Sequence, residues 1–290
     1  MEYVTLNNGV KMPVLGYGVY QVSQEECERC VTDALAVGYR SIDTAQSYFN
    51  EEQVGNAIVK SGVPREHIFL TTKVWVEHYG YEKAKKSVIE SMKKLQTEYL
   101  DLVLLHQPFS DYYGAYRALE DLYEEGKLHA IGVSNFYPDR LVDIASFSRI
   151  RPMINQVETH PFHQQIGAKT WMDKYGVQME AWAPLGEGRG GLFENPVLSE
   201  IAEKHHKATA QVMLRWHIQR GIAAIPKSTH KERMEQNLQV FDFSLDQEDM
   251  DKIAELDKCQ SSFFSHSDPS MVEWFVRMVE ERKSKINCNT

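Results

Sequence analysis

Short apolar segments alternate with amphipathic segments eight times along the chain, and this alternation restricts the fold more than any other feature. The segment LDLVLLH at 100–106 has no polar alternation beyond Asp101, unlike a strand with one face in solvent. Strands of this kind belong to a parallel sheet that is covered on both sides. The predicted strands are residues 14–19, 41–44, 68–74, 101–106, 130–134, 153–158, 178–183 and 223–226.

The segments between these strands have helical periodicity. In the third of them, an apolar stripe from Ala84 to Leu95 excludes the neighbouring lysines, which predicts a helix whose lysines face solvent. Gly38 and Gly126 stand where glycine would end the first and fourth helices. The predicted helices lie near residues 24–37, 50–61, 82–96, 114–126, 138–147, 166–175, 209–220 and 230–240.

Eight strand–helix repeats without a linker predict one closed (β/α)8 barrel, a TIM barrel, as a single domain over residues 1–290. Ahead of the barrel, Asn8-Gly9 lies between two short alternating runs, which predicts an N-terminal β-hairpin with a type I′ turn. A doubly wound open sheet with a dinucleotide-binding turn is the rival fold. It is disfavoured because Gln21 stands where a third glycine would follow Gly16 and Gly18.

The composition argues against several classes of partner. A net charge of −9 disfavours binding to nucleic acid or to an anionic membrane surface. No apolar run approaches the ~18 residues of a membrane helix, and the first residues lack the basic and apolar regions of a secretory signal. Four cysteines in 290 residues do not form a disulfide framework, so the predicted location is the reducing cytoplasm.

Cys27-Glu28-Arg29-Cys30 has the spacing of a redox or metal-binding C-x-x-C motif. Neither interpretation has a second pair of ligands in support, because Cys259 and Cys288 are single and distant. Cys27 and Cys30 share the spacing of one buried helix face with the apolar residues that follow them. We therefore predict that both are core residues.

Four polar side chains fall at or after the predicted C-terminal ends of strands, where barrel enzymes place catalytic groups. Asp43 ends the second strand, Lys73 lies at the end of the third, and His106 closes the fourth. Tyr48 lies in the loop after the second strand. A phenol with a pKa near 10 is a poor proton donor at neutral pH, but an ammonium stabilises phenolate and a carboxylate keeps a buried lysine charged. The set is suited to protonating an alkoxide as it forms on a carbonyl carbon.

Such a reduction requires hydride, which no side chain supplies, so a bound nicotinamide or flavin is needed. Each residue alone has another explanation. A strand-end aspartate often caps a helix, a strand-end histidine is often a core residue, and Tyr48 could be a packing aromatic. The convergence of four compatible groups on one face of the barrel favours catalysis.

The sequence resembles the aldo-keto reductase superfamily from the N-terminal hairpin to the tail. The resemblance rests on seven segments in order: GYRSIDTAQSYFNEEQVG (38–55), TTKVW (71–75), LDLVLLHQP (100–108), GVSNF (132–136), NQVETHP (155–161), EAWAPLG (180–186) and IPKSTHKERMEQNLQVFDF (225–243). It implies an α/β barrel that binds NADPH in extended form at its C-terminal face. It also implies that Tyr48 is the proton donor, that Lys73 and Asp43 lower its pKa, and that His106 orients the carbonyl.

The resemblance further assigns the nicotinamide end of the cofactor. Ser134, Asn135 and Gln156 are implied to hold the carboxamide, and Trp182 to stack on the ring. Packing at the barrel rim is the other interpretation of Trp182. Further implied contacts with the cofactor are Gly18, Val19, Asp43, Pro184, Leu185 and Gly186.

At the other end of the cofactor, Lys227, Ser228 and Arg233 match positions that bind the adenosine 2′-phosphate. A loop leading into a helix start offers cations and backbone N–H groups to such a dianion. Gln236 and Asn237 match the pair that contacts adenine, although many members have glutamate in place of Gln236.

For the small-molecule carbonyl substrate, the resemblance implies contacts with Tyr20, Tyr48, Trp75, His106 and Gln107. Many animal members have tryptophan in place of Tyr20 and Gln107, so this pocket is expected to be less aromatic. The tail segment SSFFSHSDPSMVEWF (261–275) resembles that of bacterial members that reduce small ketones, aldehydes and keto-sugar acids. The tail is expected to fold over the active-site mouth, and four of its aromatic residues either pack on the barrel or contact substrate: Phe263, Phe264, Trp274 and Phe275.

The predicted function is NADPH-dependent reduction of aldehydes or ketones to alcohols, by a monomer or weak homodimer. The alternative is a cofactor-binding regulatory or structural module without turnover, since some superfamily members serve as channel subunits. A complete catalytic set favours the enzyme. A metal hydrolase is disfavoured because the first strand lacks His-x-His and His205-His206 lies on a helical pattern, so no metal is predicted.

Overall fold

The computed structural model describes residues 1–288, with side-chain surroundings described up to residue 282. In this part of the chain the strands are β1 (Tyr3–Thr5), β2 (Lys11–Pro13), β3 (Tyr17–Gly18), β4 (Ser41–Asp43), β5 (Phe69–Val74), β6 (Leu102–Leu105), β7 (Ile131–Ser134), β8 (Ile154–Glu158), β9 (Gln178–Trp182) and β10 (Ala223–Ala224). Strands β3 to β10 form one parallel sheet in chain order. Leu15, just before β3, pairs with Ala224 of β10, and the Gly16 N–H donates to the Ala224 carbonyl at 2.9 Å. The sheet therefore closes into the predicted (β/α)8 barrel.

Helices follow the strands around the barrel. They are α1 (Gln24–Val37), α2 (Glu51–Lys60), α3 (Tyr81–Lys94), α4 (Tyr112–Glu124), α5 (Pro138–Phe147), α6 (Ile166–Tyr175), α7 (Pro196–His205), α8 (Thr209–Gln219), α9 (Lys231–Leu238), α10 (Gln247–Ala254) and α11 (Pro269–Cys288). Eight correspond to predicted helices, whereas α7, α10 and α11 are additional to the prediction. The start of α7 carries a readable signal, because Pro196 opens the helix and the Asn195 side chain caps it by accepting from the Val197 and Leu198 N–H groups.

The N-terminal hairpin forms as predicted, but its turn is of another type. Strands β1 and β2 pair antiparallel, and the Gly9 N–H donates to the Leu6 carbonyl at 2.9 Å. Gly9 has a φ of +88°, whereas Asn8 is absent from the positive-φ residues of the described chain. A type I′ turn needs positive φ at both central residues. The connection is instead a type I turn over Asn7 and Asn8, followed by the left-handed Gly9.

Helix α1 carries both cysteines of the C-x-x-C motif on its buried face. Cys27 and Cys30 are free thiols with no exposed surface, alongside Val31, Ala34 and Leu35. Burial raises the pKa of the Cys27 thiol to about 12, so the thiol stays protonated and unreactive at neutral pH. The prediction that these are core residues is confirmed.

Strand β7 approaches β8 so closely that residue 132 requires glycine. A Cβ atom there would lie 2.5 Å from the Ile154 carbonyl oxygen and 2.8 Å from Cδ2 of Leu104. A larger residue would displace β7 and with it Ser134, whose hydroxyl donates to the Gln156 carbonyl at 2.8 Å. Backbone packing in the barrel thus fixes the strand ends that carry the candidate site.

Since all eight barrel strands are parallel, their C-terminal residues meet at one end of the barrel. Asp43, Ser134 and Trp182 are the last residues of β4, β7 and β9. None of the helices in the described residues is both long and apolar enough to cross a membrane.

Candidate active site

The four predicted catalytic residues converge at this end of the barrel. Lys73 of β5 donates to Asp43 Oδ1 at 2.5 Å and to the Tyr48 hydroxyl at 3.4 Å. Lys73 is fully buried and Asp43 is 2 % exposed. Tyr48 ends a short 3-10 turn after β4, and its ring lies 5.7 Å from the His106 ring, edge to face. One continuous chain of contacts therefore joins the carboxylate, the ammonium and the phenol to the imidazole.

The Lys73 ammonium has three acceptors, the third being the Thr44 carbonyl oxygen at 3.0 Å. Burial alone would lower the pKa of this lysine, but the Asp43 carboxylate, together with Tyr48 and Glu180, outweighs burial and the pKa is raised. Lys73 is therefore an ammonium at neutral pH. Removing either partner of such a buried pair typically costs about 3–5 kcal/mol.

The pKa of Tyr48 does not move in the expected direction. The resemblance implied that Lys73 and Asp43 lower it, whereas burial raises the pKa of Tyr48 to about 12. Lys73 does favour the phenolate, but the Asp43 carboxylate disfavours it and loss of hydration outweighs the ammonium. At neutral pH the phenol therefore carries its proton, as a proton donor must.

His106 is held from both sides. Asn135 Nδ2 donates to its backbone carbonyl at 3.1 Å, and the Ser47 hydroxyl lies 3.4 Å from its Nδ1. Burial and the nearby Lys73 charge lower the pKa of His106 well below its usual value, so the imidazole is neutral at pH 7. In the tautomer in which Ser47 donates to Nδ1, Nε2 carries the proton and serves as a hydrogen-bond donor.

The residues implied to hold the nicotinamide form a second connected group. The indole N–H of Trp182 donates to Asn135 Oδ1 at 2.8 Å, and Asn135 Nδ2 also donates to the Ser134 hydroxyl at 3.2 Å. Asn135 has a φ of +65°, a left-handed conformation that asparagine tolerates better than most residues. Ser134 and Gln156 are register partners in β7 and β8. The structure thus brings these four residues together beside His106.

Glu180 is a member of this group that the sequence analysis missed. Gln156 Nε2 donates to Asp43 Oδ2 at 3.0 Å and to Glu180 Oε2 at 2.8 Å. Both amide hydrogens are therefore taken by carboxylates, which fixes the amide orientation and leaves Oε1 as an acceptor. Burial, together with the Asp43 charge, raises the pKa of Glu180 to about 7. A glutamate inside the apolar strand QMEAW was the available signal.

The residues implied to bind the 2′-phosphate and adenine lie after β10 and on α9. Lys227 and Arg233 are exposed and form no salt bridge within the described residues. Ser228 is buried, and its hydroxyl accepts from the His230 N–H at 3.1 Å. On α9, Gln236 is exposed whereas Asn237 is buried. Two unpaired cations beside a helix start suit a phosphate dianion.

The remaining implied cofactor contacts border this region. The Gly18 N–H donates to the Pro226 carbonyl at 3.1 Å, and a Cβ atom at residue 18 would lie 3.1 Å from the Ile225 carbonyl. Val19 follows directly at the end of β3, and its N–H donates to the Asp43 carbonyl at 3.1 Å. The loop after β9 carries the others, namely Pro184, Leu185 and Gly186.

The tail covers the mouth through contacts that periodicity did not reveal. Glu158, at the end of β8, accepts from the Ser261 hydroxyl at 2.5 Å and from the Ser262 N–H at 2.8 Å. Phe263 then lies 5.1 Å from the Trp182 ring. His266 Nε2 lies 2.9 Å from Gln107 Oε1, so a tail histidine contacts one of the predicted substrate-binding residues.

The four tail aromatics differ in their surroundings. Phe275 is buried against Trp75 and Phe109, with ring centroids 5.7 and 5.4 Å away. Phe264 lies 6.0 Å from Phe275. Trp274 is 46 % exposed, and its ring lies 5.0 Å from the Phe275 ring. Of the predicted substrate contacts, Tyr20 is half exposed with its ring 5.0 Å from Tyr48, and Trp75 lies 5.0 Å from His106.

Comparison with known proteins agrees with this geometry. The sequence model of the Aldo/keto reductase family matches residues 13–258. Glyoxal reductase of Bacillus subtilis is 49 % identical over 259 residues, which cover 89 % of this chain and 93 % of the relative. Methylglyoxal reductase of Escherichia coli K12 is 40 % identical over 258 residues, covering 88 % of this chain and 93 % of the relative.

Among solved structures, a Bombyx mori aldo-keto reductase in complex with NADP superposes with a TM-score of 0.87 at 33 % identity. The match covers 94 % of this chain and 96 % of that chain. The resemblance drawn from seven sequence segments is confirmed, and so is the predicted barrel. The chain belongs to the aldo/keto reductase family, whose members are oxidoreductases that use NADP(H).

Proposed function

We propose that this protein reduces aldehydes or ketones to alcohols with NADPH, and that Tyr48 donates the proton. The observation that carries the proposal is the chain of contacts from Asp43 through Lys73 to Tyr48, with His106 beside the phenol. The Lys73 ammonium and the hydrogen-bond donors Tyr48 and His106 meet at one point, where a carbonyl oxygen would become an alcohol. A barrel that only bound a cofactor would have no use for a buried lysine at that point.

When bound at this end of the barrel, NADPH would supply the hydride for the carbonyl carbon. The neutral His106 donates its Nε2 hydrogen to the carbonyl oxygen and orients it. As negative charge develops on that oxygen, the Tyr48 hydroxyl transfers its proton to it. The Lys73 ammonium already donates to the phenol oxygen at 3.4 Å and stabilises the phenolate that remains.

The residues of the nicotinamide group fit a carboxamide. Gln156 has both amide hydrogens engaged, so its Oε1 is left to accept from the carboxamide NH2. Ser134 and Asn135 supply hydroxyl and amide groups next to it, and the partly exposed Trp182 offers a ring face for stacking. We infer that Lys227, Ser228 and Arg233 hold the 2′-phosphate, and that Gln236 and Asn237 contact adenine.

The test is consumption of NADPH, followed at the absorbance band of reduced nicotinamide, with a panel of aldehydes and ketones. The panel includes glyoxal and methylglyoxal, the substrates for which the two relatives described above are named. The proposal expects turnover with at least one carbonyl and none without it. NADPH binding without turnover on any of them would instead support the alternative, a cofactor-binding regulatory or structural module.

We further propose that residues 1–290 form a single domain that acts in the cytoplasm as a monomer or weak homodimer. Sedimentation at several protein concentrations tests the assembly state. A stable larger oligomer would contradict it.

A further inference from the structure

Helix α11 brings two side chains to the mouth of the active site, although it lies beyond the residues matched by the family. Phe275 contacts the Trp75 indole, and the Arg282 guanidinium carbon lies 5.4 Å from the centroid of the same indole. The same guanidinium carbon lies 5.0 Å from the centroid of the Phe49 ring. Two aromatic rings therefore contact Arg282 at the edge of the substrate pocket.

No carboxylate within the described residues neutralises the Arg282 guanidinium. Its Nη1 is buried and has no hydrogen-bond partner among the described residues, and no carboxylate within that range forms a salt bridge with it. A buried N–H group without an acceptor is unfavourable in the folded protein. Such a group in a native structure requires an explanation, and an anionic ligand that supplies the missing acceptor is one.

Trp75 offers a second donor of the same kind. Its side chain is 4 % exposed, and its Nε1 is buried without a partner within residues 1–288. The Trp75 indole also lies 5.0 Å from the His106 ring. Two unsatisfied donors, one of them a cation, therefore lie next to the position where the carbonyl oxygen would bind.

The charges around His106 also favour an anionic ligand. The pKa of His106 is lowered by burial first, then by Lys73, by His266 and by Arg282. Since the Asp43 carboxylate balances Lys73, Arg282 is the cation of this group that has no carboxylate partner within the described residues. In a protein whose net charge is −9, such a charge at the mouth attracts an anionic substrate locally.

We propose that Arg282 and the Trp75 indole N–H bind a carboxylate carried by the carbonyl substrate. The proposal rests on the proposed reductase function and narrows its substrate to aldehydes and ketones that are also acids. Since one indole contacts both the guanidinium and the His106 ring, the carboxylate lies a few bonds from the carbonyl carbon. The remaining guanidinium N–H groups suit the two oxygens of a carboxylate.

The test compares 4-carboxybenzaldehyde with its methyl ester, which has nearly the same shape and no charge. Binding of each to the protein saturated with NADP⁺ is measured by calorimetry, so that no turnover is needed. The acid should bind about tenfold more tightly than the ester, at the lower end of the range for a charge-assisted contact because Arg282 is partly exposed. Turnover of both with NADPH is measured in parallel and tests the reductase function separately.

Arg282→Gln should abolish this preference and leave the affinity for the ester unchanged. Arg277→Gln removes the same charge from an exposed position of α11 and should retain the preference. Equal binding of acid and ester by the parent protein would overturn the proposal. So would an equal loss for both ligands in Arg282→Gln, because the arginine would then only order the helix. Preferential binding of the acid without any turnover would support the anion site and refute the reductase function.

Discussion

The two ends of the proposed cofactor site are built in opposite ways. At the nicotinamide end, Asp43, Lys73, Gln156 and Glu180 are all buried and bonded to one another. At the phosphate end, Lys227 and Arg233 stand exposed and form no salt bridge in the described chain. The first group is arranged before any ligand arrives, and the second gains its partner only on binding. Charges that act on the reacting atoms are therefore preorganised, whereas charges that supply affinity are left in solvent.

Lys73→Met should have the largest effect on stability and activity, because it removes the cation of the buried group at the nicotinamide end. The Asp43 carboxylate would lose its cation, which predicts a loss of about 3–5 kcal/mol in the free energy of unfolding. Carbonyl reduction should fall by about 10²–10⁴-fold, the range for loss of general acid catalysis. Chemical denaturation and steady-state turnover measure the two effects.

Lys85→Met is the matched control for that substitution. Lys85 pairs with Glu125 on the surface at 2.6 Å, and a pair of this kind contributes about 1 kcal/mol or less. An equal loss of stability in both variants would mean that the buried pair has no special weight.

Arg233→Ala tests the exposed phosphate end of the proposed cofactor site. Losing a charge-assisted contact costs about 1.5–3 kcal/mol, so NADPH should bind roughly ten- to a hundredfold more weakly. Turnover at saturating NADPH should change little, because Arg233 is on α9 and is not part of the chain of contacts from Asp43 to His106. NADH, which lacks the 2′-phosphate, is the internal control and should bind equally to both proteins. Unchanged NADPH affinity in a fluorescence titration would refute the phosphate assignment.

Glu180→Gln tests whether the protonation of Glu180 makes the stability of the buried group depend on pH. With its pKa raised to about 7 from a usual value of 4.5, Glu180 holds a proton in the folded protein over a range where the unfolded chain has lost it. Stability should therefore fall as the pH rises from about 5 to 8, by roughly 1–3 kcal/mol. The glutamine, which has no such proton to lose, should flatten that slope. An identical pH profile of unfolding in both proteins would contradict the assignment.

The strand ends could be predicted from the sequence because each lies within a few residues of a readable pattern. LDLVLLH places His106 at the end of a buried strand, and the same reasoning places Asp43. Glu180 was missed because its partners, Gln156 and Asp43, belong to other strands and meet it only inside the closed barrel. Local periodicity carries no information about such contacts across the barrel.

The tail was harder to predict for the same reason. Its aromatic residues were recognised, but the anchor on Glu158 and the approach of Arg282 to Trp75 depend on how α11 folds back. The sign of the Tyr48 pKa shift was also mispredicted. Charges are visible in a sequence, whereas the extent of burial, which decides that shift, is not.

The central claim is that the buried group delivers its proton through Tyr48, and Tyr48→Phe tests it most directly. Turnover of a reactive aldehyde is measured alongside NADPH affinity by fluorescence titration. The phenylalanine keeps the ring and removes only the hydroxyl, so the account predicts turnover reduced by about 10²–10⁴-fold or more. The dissociation constant of NADPH should remain close to that of the parent. Substantial residual turnover would contradict the account and show that the proton comes from another group, with His106 the nearest candidate.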